Sequence, residues 1–183
     1  SSPSKIVHDF LVKEFNLTYI STGKIFRDHF KTHDSYNNYT KSQFESGILC
    51  DDDTTNKLVE QSLPQDNYLL DGYPRTLNQA EFFNKLMQER NLSYKVILLK
   101  VPKKISIERL LNRAKIEGRA DDNEKTIKNR FKVYKEQTAP IISFYKNLKL
   151  LISQNGVGNL DELSSQLISK IKKKYKNDRN PKT

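Results

Sequence analysis

A single cysteine, Cys50, stands among 183 residues. That excludes a disulfide framework, and with no Cys or His partner nearby Cys50 is no zinc ligand; it fits a reducing compartment. No run approaches the ~18 apolar residues of a membrane span. The first residues also lack the order of a secretory signal. The expectation is a soluble, intracellular chain, cytoplasmic by default with no organelle excluded. Glycine is scarce, six in all, and none precedes Gly23. There is no internal repeat, and no low-complexity linker interrupts the chain before its tail.

Charge is plentiful and biased. The formal net charge is +10, which suits a nucleic-acid binder but equally a protein that holds anionic nucleotides. Much of the excess lies in 170–182, and lysines at the end of a helix favour its macrodipole and solubility. The basic tail, 176–183, therefore reads as solvated. The length suits one domain, 1–183, with a proper core.

Apolar spacing sets the elements. Ile6, Val7, Phe10, Leu11 and Phe15 recur every three or four residues and predict a helix over 1–16, with Asn16 as left-handed cap. A strand follows at 17–20, then a turn at Ser21-Thr22-Gly23 into a second helix carrying Arg27. Residues 31–50 are polar and aromatic and predict short helices on a mobile flap. Asp51-Asp52-Asp53-Thr54 reads as a helix start; calcium-loop spacing is missing. That helix runs to Ser62, and Pro64 marks its exit. Leu69-Leu70 ends a short strand, and Leu77 to Arg90 is helical with Ala80, Phe83, Leu86 and Met87 inward. Val96-Ile97-Leu98-Leu99 reads as a parallel strand covered on both faces. Helices follow at 105–114 and 124–146, the second with Tyr134 facing the core and a kink at Pro140. A strand at 148–153, the Gly156-Val157-Gly158 turn and a helix at 160–175 close the pattern, with Leu163, Leu167 and Ile171 inward. Alternating strands and helices argue an α/β fold with a parallel sheet and helices on both faces.

The stretch around Asp71 organises the rest. Asp71 is a carboxylate at a strand's carboxyl end, where ligands of open α/β sheets bind. Gly72 and Pro74 force a turn, Arg75 projects from it, and Thr76 can cap the helix carrying Gln79. A carboxylate, a fixed turn and an arginine suit a phosphorylated ligand and a metal, although strand–turn–helix chemistry alone would also explain the turn. Thr22 and Arg27 can converge on one anion; taken singly they read as an N-cap and a solvated side chain. Arg109 and Arg113, four apart on a helix, repel unless an anion lies between them.

Asp71-Gly72-Tyr73-Pro74-Arg75-Thr76 with Gln79 resembles the monophosphate-binding motif of adenylate kinases. Ile20-Ser21-Thr22-Gly23 with Arg27, Ser46-Gly47-Ile48-Leu49, Arg109 with Arg113, and Gly118-Arg119-Ala120-Asp121-Asp122 with Arg130 agree with it in order. The likeness runs from about residue 6 to the C-terminal helix. It implies a P-loop-NTPase-like, three-layer, doubly wound sheet with a small NMP-binding flap, 24–53, and a short lid, 114–122, without a zinc-type insertion. It implies reversible phosphoryl transfer from Mg·ATP to AMP giving two ADP, by a monomer, with no nucleic acid or membrane partner.

The resemblance also implies roles. Thr22, Arg27, Leu49, Gly72, Arg75 and Gln79 match positions that hold AMP, Gln79 reading the adenine. Arg75, Arg113, Arg119 and Arg130 match arginines of the transition state, and Arg109 lies over the adenine of ATP. Asp71 matches the carboxylate that orders the water shell of Mg2+, with no direct metal ligand in the protein. Gly156 and Val157 would give backbone contact to the ATP adenine.

The beginning departs from the family. Counting back from Thr22 without a gap lays 1–6 over the second half of the glycine-rich phosphate loop. Ser4 then takes the lysine position, Lys5 follows one residue late, and Pro3 replaces a glycine and removes an N–H donor. Either a segment with the loop and its strand precedes this sequence, which the cost of exposed strand edges favours, or the donor site has degenerated. Lys24 stands where the family usually has aspartate, and Cys50-Asp51 replaces a more apolar pair. The rival to the kinase is an impaired, adenylate-kinase-like AMP-binding protein.

Overall fold

Residues 3–117 and 124–179 are described by the computed structural model. They belong to two compact units, Ser1–Tyr94 and Lys95–Thr183.

In the first unit, α1 (Pro3–Phe15) ends as expected at Asn16, which takes φ 51°. Its stripe buries Val7 and Leu11 fully and leaves Ile6, Phe10 and Phe15 half-buried. The helix packs on β1 (Thr18–Ser21) and β4 (Tyr68–Asp71), which pair in parallel with Ser21 opposite Asp71. Both strands therefore end at one level, and the two connections leaving them meet there. From β1 the chain enters α2 (Thr22–Phe30), and from β4 it reaches α5 (Leu77–Glu89) through a cis Tyr73–Pro74 bond. Helix α4 (Asp52–Ser62) lies against both α2 and α5. Their shared core includes Phe26, Leu58, Val59, Phe83, Leu86 and Met87. Each such side chain contributes about 1.5–3 kcal/mol by leaving water.

Residues 31–50 differ from expectation. Instead of short helices alone, β2 (Ser35–Tyr36) and β3 (Tyr39–Thr40) form an antiparallel hairpin, followed by α3 (Lys41–Glu45). Asn37, at φ 52°, supplies the left-handed residue that a two-residue hairpin loop needs. Tyr39 then reaches the core, where it meets Phe26 edge-on at 5.5 Å, while Phe44 stacks on Phe26 at 5.6 Å. Thr40 and Gln43 form a reciprocal capping box at the start of α3.

In the second unit, β5 (Val96–Lys100) and β6 (Leu151–Asn155) pair in parallel along their whole length. Around them run α6 (Lys103–Glu117), α7 (Glu124–Asn147) and α8 (Leu160–Arg179), with α7 and α8 packing on β6 and α6 on α7. Ile107, Ile127, Tyr145, Ile152 and the expected Leu163, Leu167 and Ile171 are buried. Lys95 lies over the ring of Tyr175 at 5.1 Å and pairs with Asp178, which ties down the end of α8.

Three expectations change here. The last strand begins at Leu151 rather than 148, because Lys149 takes φ 60° and the N–H groups of residues 148–150 return to carbonyls of α7. Tyr134 is 64 % exposed; the stripe of α7 is carried by Ile127, Ile141 and Tyr145 near its ends, and residues 132–137 between them are exposed. Strand β5 is half-buried rather than covered on both faces. Among the described residues its ladder is two strands wide, like that of β1 and β4. Helix α7 runs through Pro140.

Candidate functional site

The level carboxyl ends of β1 and β4 gather the first unit's candidate residues. Ser21, not Thr22, caps α2, its hydroxyl accepting the Lys24 N–H at 3.1 Å. Thr22 is thereby released from capping, and its hydroxyl donates to the Gly72 carbonyl at 3.2 Å. The same carbonyl accepts Nε of Arg75 at 2.9 Å. Gly72 has φ +83°, and a Cβ built there would come within 2.8 Å of Thr22 Oγ1 and 3.5 Å of Arg75 Nη2. The positive φ and the close approach of Thr22 call for glycine here, whereas the Arg75 distance is an ordinary contact. Across the cleft, Arg27 folds over Gly23, whose notional Cβ would meet Arg27 Nη1 at 2.9 Å. Thr22 and Gly72 are half-buried, while both arginines reach solvent. Two solvent-facing guanidinium groups flanking a hydroxyl and a tight turn can take a phosphate bidentately.

Gln79 lies beneath this rim, only 6 % exposed. Its amide oxygen accepts the Arg75 N–H at 2.8 Å, and its amide nitrogen donates to Asp52 Oδ1 at 2.9 Å. Thr76 caps α5 and also donates to Asp52 Oδ1, at 3.0 Å. The linear pattern groups Asp51, Asp52 and Asp53 together as capping residues. The cap is Asp51 alone, which accepts the Thr54 N–H at 2.9 Å. Nothing in that pattern marks Asp52, because its partners lie on another helix. Tyr73 stands within the motif, but its partner is not legible in the sequence. It is buried, donates to Asn56 Oδ1 at 2.7 Å, and its phenol is pushed well up by that burial, then by Asp52.

Asp71 has two neighbours that the sequence does not reveal. The Tyr19 hydroxyl donates to Asp71 Oδ2 at 2.6 Å, and His8 Nδ1 lies 3.9 Å from the same oxygen. Burial first, and then this carboxylate, push the Tyr19 phenol up to about 12. Both contacts fall on Oδ2 rather than Oδ1. A half-buried carboxylate of this kind fits the water-mediated magnesium role expected of it, and among the described residues no cluster of metal-ligating side chains competes with it.

Other candidates stand apart from this cluster. Leu49 is 86 % exposed on the flap, and burial raises the thiol of neighbouring Cys50, which is therefore not a reactive thiolate. Lys24 pairs with Asp28 at 2.7 Å. Ser4 and Lys5 are exposed within α1, and Lys5 Nζ lies 3.7 Å from Asp9.

In the second unit, Arg109 and Arg113 are exposed on α6. The expected role of Arg119 and most of the lid lie outside the described residues, as does the side chain of Arg130. A cavity of about 500 Å³ opens at the carboxyl ends of β5 and β6, lined by Lys100, Val101, Pro102, Ser153, Gln154 and Asn155. Gly156 closes against it, its N–H donating to the Lys100 carbonyl at 2.8 Å and its notional Cβ meeting Val101 Cγ2 at 3.1 Å. The Val157 N–H donates to Asn155 Oδ1 at 3.0 Å. Both N–H groups of this turn are thereby engaged within the protein. Among the described residues no helix is long and apolar enough to cross a membrane.

Comparison with known proteins agrees with the motifs. The adenylate kinase family profile matches residues 6–150. An adenylate kinase of Flavobacterium psychrophilum is 36% identical over 165 residues, covering 87% of each chain. One of Thermobifida fusca is 35% identical over 167 residues, 88% of each chain. Another, of Thermus thermophilus, is 35% identical over 158 residues, 86% of this chain and 84% of its own.

Proposed function

The chain belongs to the adenylate kinase family of nucleoside-monophosphate kinases, with the P-loop-NTPase-like α/β fold, and on that premise we propose that it interconverts Mg·ATP plus AMP with two ADP. The carrying observation is the cluster at the ends of β1 and β4. There Thr22 and Arg75 share the Gly72 carbonyl, Arg27 folds over Gly23, and Gln79 lies below. Arg27 and Arg75 would hold the phosphate of AMP, Leu49 would flank the base from the flap, and Gln79 would read it. The cavity beside Gly156 and Val157, with Arg109, would take the adenine of ATP.

Transfer needs no protein nucleophile. An anionic oxygen of the AMP phosphate attacks the γ-phosphorus of ATP, one P–O bond forms, and the bond to the bridging β–γ oxygen breaks, releasing ADP. The attacking oxygen carries no proton, so no general base is required. The work left to the protein is positioning, charge stabilisation and exclusion of water. Arg75, Arg113, Arg119 and Arg130 would stabilise the charge on the transferring group. Asp71 would hold the water shell of magnesium, which when bound would supply positive charge to neutralise the phosphates. Closure of the flap, 24–53, and the lid, 114–122, would dry the site.

The test incubates this chain with Mg·ATP and AMP and follows ADP, beside an AMP titration. Arg75→Ala removes a charge-assisted contact worth about 1.5–3 kcal/mol, so AMP affinity and transfer should fall together by roughly 10- to 100-fold. Arg119→Ala should lower chiefly turnover. Unchanged kinetics in both variants would refute the arginine roles. A second reading, AMP binding without transfer, is favoured by one observation: Ser4 and Lys5 stand within helix α1 rather than in a phosphate-cradling loop. AMP binding with no ADP formed would establish it for this chain.

A further inference from the structure

We propose that Asp52 is a positioning residue that fixes the orientation of the Gln79 amide and so selects adenine over bases with the opposite hydrogen-bond order. The inference rests on the AMP reading of the site. Asp52 stands in the first turn of α4, 27 residues before Gln79, and holds the amide nitrogen at 2.9 Å. On the other side stands the backbone N–H of Arg75, 2.8 Å from the amide oxygen. A carboxylate only accepts and a backbone N–H only donates. Turning the amide over would set oxygen against carboxylate and N–H against N–H, in a position 6 % exposed. Neither clash could be relieved by water, so one orientation survives. The Thr76 hydroxyl donates to the same carboxylate oxygen at 3.0 Å and holds it in place.

Each end of the amide then keeps one unused valence: an N–H on the nitrogen and a lone pair on the oxygen. Their order is set by Asp52 together with the Arg75 N–H opposite. The Watson–Crick edge of adenine presents N6–H as donor beside N1 as acceptor, which this order satisfies. Hypoxanthine presents O6 as acceptor beside N1–H as donor, the reverse. An amide free to turn would serve either base. Asp52, with the Arg75 N–H, removes that freedom, and it does so from the first turn of α4, where the flap ends.

The experiment titrates AMP and inosine monophosphate separately into the full chain, the D52N variant and the D52E variant, with a thermal melt of each. The wild type should bind AMP more tightly by at least about tenfold, the scale on which hydrogen-bonding sites reject a mismatched partner. D52N faces Gln79 with an amide that can donate or accept, and should reduce that ratio at least about fivefold. D52E keeps an acceptor and should keep the ratio within about twofold, whatever its absolute affinity. A merely structural Asp52 would weaken both ligands equally and leave the ratio alone. An unchanged ratio in a folded D52N that still binds AMP overturns the inference and leaves the AMP site standing. A wild-type ratio near one overturns it without recourse to any variant. A wild type that binds neither ligand removes the inference and the AMP reading together.

Discussion

Replacing Gly72 by alanine tests the joint on which the site turns. Gly72 has φ +83°, and a Cβ would stand 2.8 Å from Thr22 Oγ1. Holding a non-glycine residue in the left-handed region costs about 1–2 kcal/mol. The contact with Thr22 adds to this. Its β-branched side chain can turn away, but only by giving up the 3.2 Å bond to the Gly72 carbonyl, worth about 1 kcal/mol. Gly72→Ala should therefore destabilise by about 2–3 kcal/mol, or roughly 4–12 °C in melting temperature for a chain of this size. Thr22 should be pushed from its place beside the turn, so AMP affinity should fall in parallel. The sharper readout is a cycle with Thr22→Ala. Since the Thr22 bond can be lost only once, the double variant should fall short of the sum of the singles by about 1 kcal/mol. Urea unfolding followed by circular dichroism measures every corner. A Gly72→Ala protein within about 0.5 kcal/mol of the wild type, or strict additivity in the cycle, would refute the reasoning.

Two further predictions bear on the same fold. The Tyr19 phenol, raised to about 12 by burial and Asp71, has a folded pKa above the ~10 of an unfolded tyrosine. Its contribution to stability is then complete below pH ~10 and lost as pH rises through about 12. Tyr19→Phe should remove that alkaline component, seen as a smaller stability loss between those pH values than in the wild type; identical alkaline profiles would refute it. Leu167, fully buried on α8, should cost about 2–5 kcal/mol when cut to alanine. Denaturant unfolding reads that directly, and a loss under about 1 kcal/mol would mean that α8 is not seated as described.

Local chemistry was legible in the linear order. The stripe of Val7 and Leu11, the left-handed turn at Asn16, the Thr76 cap and the run from Val96 to Leu99 each depend on neighbours within a few residues. The 3.6- and 2-residue periods expose such features directly. The same holds for the motif of Asp71, Gly72, Arg75 and Gln79, which lies within a single strand–turn–helix. Misjudged features required a partner. The hairpin at Tyr36 and Tyr39 has strands of only two residues, too short for alternation to register. Tyr134 has the composition of a core residue, and nothing in its own helix says that none of the described elements covers it.

The sequence by itself therefore determined the α/β order, the family and which residues are candidates for a phosphate site, since these arise from local spacing and motif. Only the tertiary structure decided which of them hold one another. It set Thr22 against Gly72 across 50 residues, Tyr19 against Asp71 across 52, and Asp52 against Gln79 across 27. Such bonds join groups on different elements, and their existence depends on strand register and helix packing. Ser21 falls opposite Asp71 because β1 and β4 pair in parallel in that one register. A slip of one residue would turn Tyr19 to the other face of the sheet.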